Sequence, residues 1–243
     1  MELLLAACMF AGAVLYTSVG HAGASAYLAL MALFGVASTT MRPTALVLNI
    51  LVASFTSFRY IKAGFFRWRV LWPILIGAVP MAFLGGYIQL PGDFYRPLVG
   101  VVLLIAAIRF LWPMKEQAHV ARHDPPIPLA AISGAGVGFL SGLTGTGGGI
   151  FLSPIILLFG WSDPRTTSGI VAAFILANSI SGLLGNIASV QALPAELPLF
   201  AGAVLAGAVI GTILGIKGFT VPMILKALGV VLIIAGIKLI GVF

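Results

Sequence analysis

Residues 142–154 read GLTGTGGGIFLSP, five glycines and two threonines set between the apolar runs IPLAAISGAGVGFL and IFLSPIILLFGW. A helix that begins near Gly147 or Gly149 leaves its first N–H groups without intrahelical acceptors. Those groups and the positive end of the helix dipole together make an anion site. Glycine lets a ligand approach the backbone closely. Thr144 and Thr146 add hydroxyl donors without charge. The stretch Gly145, Thr146, Gly147, Gly148, Gly149 is therefore expected to hold a small anion. A nucleotide reading fails, because GTGGG lacks both the Lys-Ser/Thr of a P-loop and the GxGxxG spacing.

A second break, SVGHAGAS at 18–25, supplies Gly20, His21, Gly23 and Ser25 in front of another short apolar run. His21 has two readings: a substrate or proton ligand, as expected by default of an ionisable group inside a membrane, or a hydrogen bond to a neighbouring helix. Asn49, Asn178, Ser54, Ser57 and Ser179 lie on the runs after the breaks. Asn49 and Asn178 are taken as completing the site, although each alone also suits an interhelical hydrogen bond. Arg42 and Arg165 follow the short runs at similar places and read as interfacial anchors or as anion-attracting vestibule residues. The only acids are Glu2, Asp93, Glu116, Asp124, Asp163 and Glu196, all near run ends. Acid/base catalysis thus lacks its groups, and no cofactor or metal cluster is expected. His119 and His123 sit in a polar linker and make no metal site, and Cys8 is the single cysteine.

The elements that carry these residues must be membrane spans. Of 243 residues 60% are hydrophobic and 8% charged, with a mean hydropathy of +1.16. Soluble domains carry about 25% charged residues, so this chain cannot cover itself with a wetted surface. Its +7 charge sits at the ends of apolar runs, where it orients spans rather than binding nucleic acid. The N-terminus MELLLAACMF lacks the basic start of a secretory signal and reads as a retained first span, with a cleaved signal as the alternative.

Apolar runs fall at 3–19, 24–35, 43–61, 70–90, 97–112, 127–143, 150–161, 168–190, 197–216 and 221–242. A span needs roughly 17–25 residues; runs 24–35 and 150–161 are too short, and each follows a glycine break. Sliding the second half back by 125 residues puts Gly145 on Gly20, Gly148 on Gly23, Phe159-Gly160 on Phe34-Gly35 and Ser179 on Ser54. Further on, GVVLIIAGIK at 229–238 matches GVVLLIAAIR at 100–109. The chain divides into an N-terminal repeat at 1–112, a cytoplasmic linker at 113–126 and a C-terminal repeat at 127–243.

The positive-inside rule gives their relative orientation. Arg59, Lys62, Arg67 and Arg69 place the first half's 62–69 loop inside, whereas the equivalent VQALPAELP loop has Glu196 and no basic residue. The bias returns at Lys217 and Lys226; Lys238 near the C-terminus runs against it. The expected fold is an all-α polytopic membrane protein of two inverted repeats, with broken or half-length helices meeting near the bilayer midplane. Inversion requires the short runs to count as crossings, however incomplete. Gly134, Gly138 and Gly142, and Gly207, Gly211 and Gly215, read instead as small-xxx-small packing ridges.

GLTGTGGGIFLSPIILLFG and its degenerate copy SVGHAGASAYLALMALFG resemble the TauE/SafE family of sulfite-exporter-like permeases. The resemblance covers the whole chain. It implies a carrier in the bacterial inner membrane for sulfite, sulfoacetate or another sulfonate, and carries over Gly145, Gly147, Gly148, Gly149 and Pro154 as motif positions. The first copy departs from the pattern, with His21 where Thr146 falls and Ala29 where Pro154 falls. Three function classes stand: a secondary carrier of a small anion, an anion channel of the same architecture, and a membrane enzyme, which the missing catalytic groups argue against. Membrane lipids and a small anionic substrate are the expected partners. The residues set neither the direction of transport, nor a coupling ion, nor an oligomeric state.

Overall fold

A computed structural model describes residues 1–111, 123–187, 193–218 and 222–241. Most of the central linker, with Lys115, Glu116, His119 and Arg122, lies outside the described residues. The described chain is all helical: α1 Glu2–Ser18, α2 Ala24–Leu33, α3 Ser38–Lys62, α4 Trp68–Tyr87, α5 Gly92–Leu111, α6 Ile127–Thr144, α7 Gly149–Leu158, α8 Pro164–Gly185, α9 Leu197–Lys217 and α10 Pro222–Ile240. Five of them, α3, α4, α6, α8 and α9, are long and apolar enough to cross a membrane. The short runs are the 10-residue α2 and α7, about 15 Å each at 1.5 Å per residue. That is half of a hydrocarbon core of about 30 Å.

Local chemistry fixes several boundaries. Asp163 accepts from the N–H of Thr166 at 3.1 Å and is followed by Pro164, so α8 starts with a side-chain cap and a proline that needs no acceptor. The α3 run begins earlier than apolar character suggests. It opens at Ser38 and carries Arg42 and Pro43 inside its first turns.

Exchanging the two halves maps the largest helix contacts onto one another, although α2 packs on α10 more extensively than α7 does on α5. The helix α4 lies along α6 as α9 lies along α1, α4 meets α8 as α9 meets α3, and the equivalent helices pair with each other, α3 with α8 and α5 with α10. Both glycine ridges are packing surfaces. Cβ atoms at Gly134, Gly138 and Gly142 would collide with the α4 backbone at Ile74, Ala78 and Ala82. Those at Gly207, Gly211 and Gly215 would collide with α1 around Phe10, Val14 and Ser18. Residue numbers rise together in each ridge, so both pairs run parallel. In the self-equivalent pairs they run oppositely: Gly100 packs against Gly236 and Ile240 while Gly229 packs against Leu111, and Gly182 lies by Leu46 while Gly169 lies by Tyr60. Helices α3 and α8, and α5 and α10, are antiparallel.

The two broken helices fold back as hairpins. Met1, Glu2 and Leu5 line one cleft with Met31, Phe34 and Val36, so α2 returns to the end from which α1 set out. The second hairpin returns likewise: Arg67 pairs with Asp124 ahead of α6 and donates to the carbonyl of Trp161 beyond α7. The bundle therefore has two ends. One carries Arg59, Lys62, Arg67, Arg69, Arg165 and Lys217 with Asp124 and Asp163; the other carries Glu2, Asp93, Glu196, Arg96 and Lys238. Lys238 is explained locally, since its ammonium donates to the carbonyl of Leu33 at the end of α2 at 2.9 Å.

Candidate anion site

The N-termini of α2 and α7 approach each other across Asn49. Its Oδ1 accepts from the N–H of Ala24, the first residue of α2, at 3.1 Å. Its Nδ2 donates to Ser179 Oγ at 3.4 Å and lies where a side chain on Gly147 would stand. A second link joins the hairpins: His21 Nε2 lies 3.2 Å from Ser153 Oγ on α7, and His21 Nδ1 lies 3.1 Å from the carbonyl of Val19. One asparagine of α3 and one histidine of the first break thus bring the starts of two half-length helices together. All residues from Thr144 to Ile150 and from Gly20 to Ala29 are buried.

Both helix starts keep open N–H groups, since among the described residues nothing accepts from those of Gly23, Ser25 and Ala26 either, but they are held differently. At α2 the Asn49 amide takes the Ala24 N–H, while Ser25 Oγ is paired with Tyr16 Oη at 2.6 Å. At α7 the N–H groups of Phe151 and Leu152 close on the carbonyl of Gly148, both at 3.1 Å. Helix α7 has no side-chain cap, and among the described residues nothing accepts from the N–H groups of Gly147, Gly148, Gly149 or Ile150. A buried N–H without an acceptor is costly, so this end has donors to spare for a ligand or water. Gly147 and Gly148 adopt φ of +77° and +75°, a left-handed backbone that favours glycine. A Cβ at Gly148 would stand 2.8 Å from Val137, 3.1 Å from Phe174 and 3.2 Å from Ser141.

Side chains around Gly148 add to this demand. Asn178, fully buried, has no partner for either amide atom, and the buried hydroxyl of Ser141 has none. Asn178 is one helical turn beyond Phe174 and one turn before Gly182, which contact Gly148 and Gly142 respectively. It therefore lies on the face of α8 turned to the second break. The threonines behave differently from expectation. Thr144 donates to the carbonyl of Leu140 at 2.7 Å, so at 3.0 Å it accepts from Thr146; in this state neither hydroxyl has a proton left for a ligand. Ser54 is exposed on α3 and bonded to Ile50, so it does not complete the site. Ser179 serves Asn49.

Arg42 is not an exposed interfacial anchor. It is 6% exposed and lies against the second break. Its guanidinium donates to the carbonyls of Ile88 at 3.0 Å, Gly85 at 2.8 Å, Gly86 at 2.7 Å and Gly142 at 2.6 Å, the C-terminal ends of α4 and α6. Apolar windowing missed it because the arginine ended the window. Its seven-residue spacing from Asn49, two helical turns on one face, is the signal that would have found it. At the first break the equivalent carbonyls are met by neutral groups: Tyr60 Oη donates to Thr17 and Ser18, and Ser168 Oγ to Val19. Arg165 instead lies over the Phe65 ring, 5.9 Å from its centroid.

The family model for the sulfite exporter TauE/SafE matches residues 4–239. The chain belongs to the TauE/SafE family. A probable membrane transporter protein, y4hK, of Sinorhizobium fredii is 39% identical over 238 residues, which cover 97% of this chain and 96% of that protein. No solved structure matches. Like other TauE/SafE members, the chain is a multi-pass membrane protein of a transporter family. The family motif read from sequence, Gly145 through Gly149, is the uncapped start of α7. Pro154, the other motif position, falls inside that helix.

Proposed function

We propose that the protein is a secondary carrier of a small sulfur-containing or organic oxyanion, of the sulfite or sulfonate class, in the bacterial inner membrane. The observation that carries this reading is the start of α7: four buried N–H groups without acceptors beside the unpartnered Asn178 amide and Ser141 hydroxyl. Every one of the four N–H groups can only donate, and none of the acidic residues described is buried. Such a lining suits an anion and disfavours a cation. The site is sealed by its own packing, which suits a carrier that opens to one side at a time better than an open channel.

The halves are inverted repeats in this reading. The antiparallel pairs α3 with α8 and α5 with α10 support a two-fold axis lying in the membrane plane. The basic end faces the cytoplasm by the positive-inside rule, and each hairpin supplies one full and one half-length leg.

Purified protein should show an upward thermal shift with sulfite or sulfoacetate and none with a neutral sulfur compound of similar size. Gly148→Val, which places a side chain on the N–H groups, abolishes that shift. Asn178→Leu separates binding from folding. Removing an unpartnered buried amide leaves stability unchanged or raised, yet the anion-induced shift falls. An equal shift for the neutral compound, or an undiminished anion shift in both variants, overturns the reading. Flux of the same anions into proteoliposomes with and without a pH gradient then separates coupled transport from a channel.

A further inference from the structure

We propose that Arg42 is a second anion station, lying between the central site and the less basic end of the bundle. The proposal rests on the central site described above and extends it. A guanidinium has five N–H donors and keeps its charge. Around Arg42 every recorded acceptor is a neutral carbonyl, and its Nε–H, buried, has no partner at all. Among the described residues its charge has no carboxylate partner; the salt bridges involve Arg67 and Arg69 with Asp124 at the other end. A charge buried without a counter-ion is costly. The negative ends of α4 and α6 offset part of that cost and leave the cation attractive to a small anion.

Its place in the fold sets the charge between a surface turn and the second break. On one side is the exposed turn between α4 and α5, with Ile88 both exposed and hydrogen-bonded to Arg42. On the other is the glycine break: a Cβ on Gly145 would sit 3.2 Å from the Arg42 Cγ. Along α3, Arg42 stands two turns from Asn49, about 10 Å. An anion entering from this end meets Arg42 before it reaches the α7 N–H groups. Among the described residues the other entrance has no buried cation: Tyr60 and Ser168 hold the first break with hydroxyls, and Arg165 near Tyr60 is exposed. The two access routes therefore differ by one buried positive charge.

The test compares Arg42→Gln and Arg42→Lys with the parent protein in proteoliposomes, using sulfite flux and the sulfite-induced thermal shift. Charges about 10 Å apart at an effective dielectric near 20 interact enough to change affinity on the order of tenfold. Arg42→Gln should raise the half-saturating sulfite concentration by roughly that factor while the maximal rate changes less. Arg42→Lys, which keeps the charge and loses the fork, should recover most of the apparent affinity. A purely structural clamp gives another result: both variants lose thermal stability alike, and folded protein keeps the parental half-saturating concentration. That outcome overturns the proposal. It leaves the central site standing, whose own failure shows as an undiminished sulfite shift in Gly148→Val and Asn178→Leu.

Discussion

Among the described residues His21 is the ionisable side chain that links the first break to α7, and its two contacts set what its charge can do. As a neutral ring it donates from one nitrogen and accepts at the other, so Val19 takes a proton and Ser153 gives one. When protonated it donates from both, and the Ser153 hydroxyl must turn. Protonation adds a positive charge to a region of unpartnered N–H groups and so favours the anion. In His21→Ala the flux of sulfoacetate should drop several-fold at an unchanged melting temperature; a folded variant with the parental flux would return His21 to a purely structural role. The composition made His21 legible, being the histidine outside the linker. Ser153 was not: a serine inside an apolar run has no marker until the fold sets it against the opposite half. The threonine hydroxyls show the reverse error, since residue type advertised donors that local hydrogen bonds had already taken.

At the level of elements, the two glycine signals separate cleanly by spacing. Glycines four apart form a ridge on which a second helix lies, whereas adjacent glycines end one helix and begin another. Gly138 belongs to the first class: its missing Cβ is where the Ala78 carbonyl of α4 packs. Gly138→Ala should cost about 1–3 kcal/mol, the usual range for overpacking, and lower the melting temperature. The sulfite-induced shift persists in the protein that remains folded. A lost shift at unchanged melting temperature would mean that α6 carries the site on its ridge as well as at its end. Hairpin geometry was less legible than helix length. A 10-residue apolar run is too short to cross, and length alone says so. That the run turns back beside its predecessor follows from contacts such as Tyr16 with Ser25, which hydropathy does not record. Arg42 was misplaced for a related reason, because charge was read as a helix boundary when the helix continues through it.

For the whole molecule, charge asymmetry and packing symmetry both favour the inverted topology proposed above. The packing symmetry runs each helix of the α3/α8 and α5/α10 pairs opposite to its equivalent. Two halves related in this way, each opening with a hairpin that returns to its start, leave three further helices to cross. In that arrangement the start of α6 and the start of α1 fall on opposite faces. The charge distribution supplies the sign, with Arg59, Lys62, Arg67, Arg69, Arg165 and Lys217 gathered at one end. Ala63 lies at that end and Ala195 at the other, and both are exposed. In a Cys8→Ser background, Ala63→Cys should react with a membrane-impermeant maleimide only after the cells are opened, and Ala195→Cys in intact cells. Reaction of both positions from one face would break the inversion, because Ala195 belongs to the turn that precedes α9 as 62–69 belongs to the turn that precedes α4. Reaction of each from the unexpected face would keep the inverted architecture and reverse the sign. Arg42 would then stand on the cytoplasmic route to the site, so the same two cysteines also decide which side of the membrane first meets the buried charge.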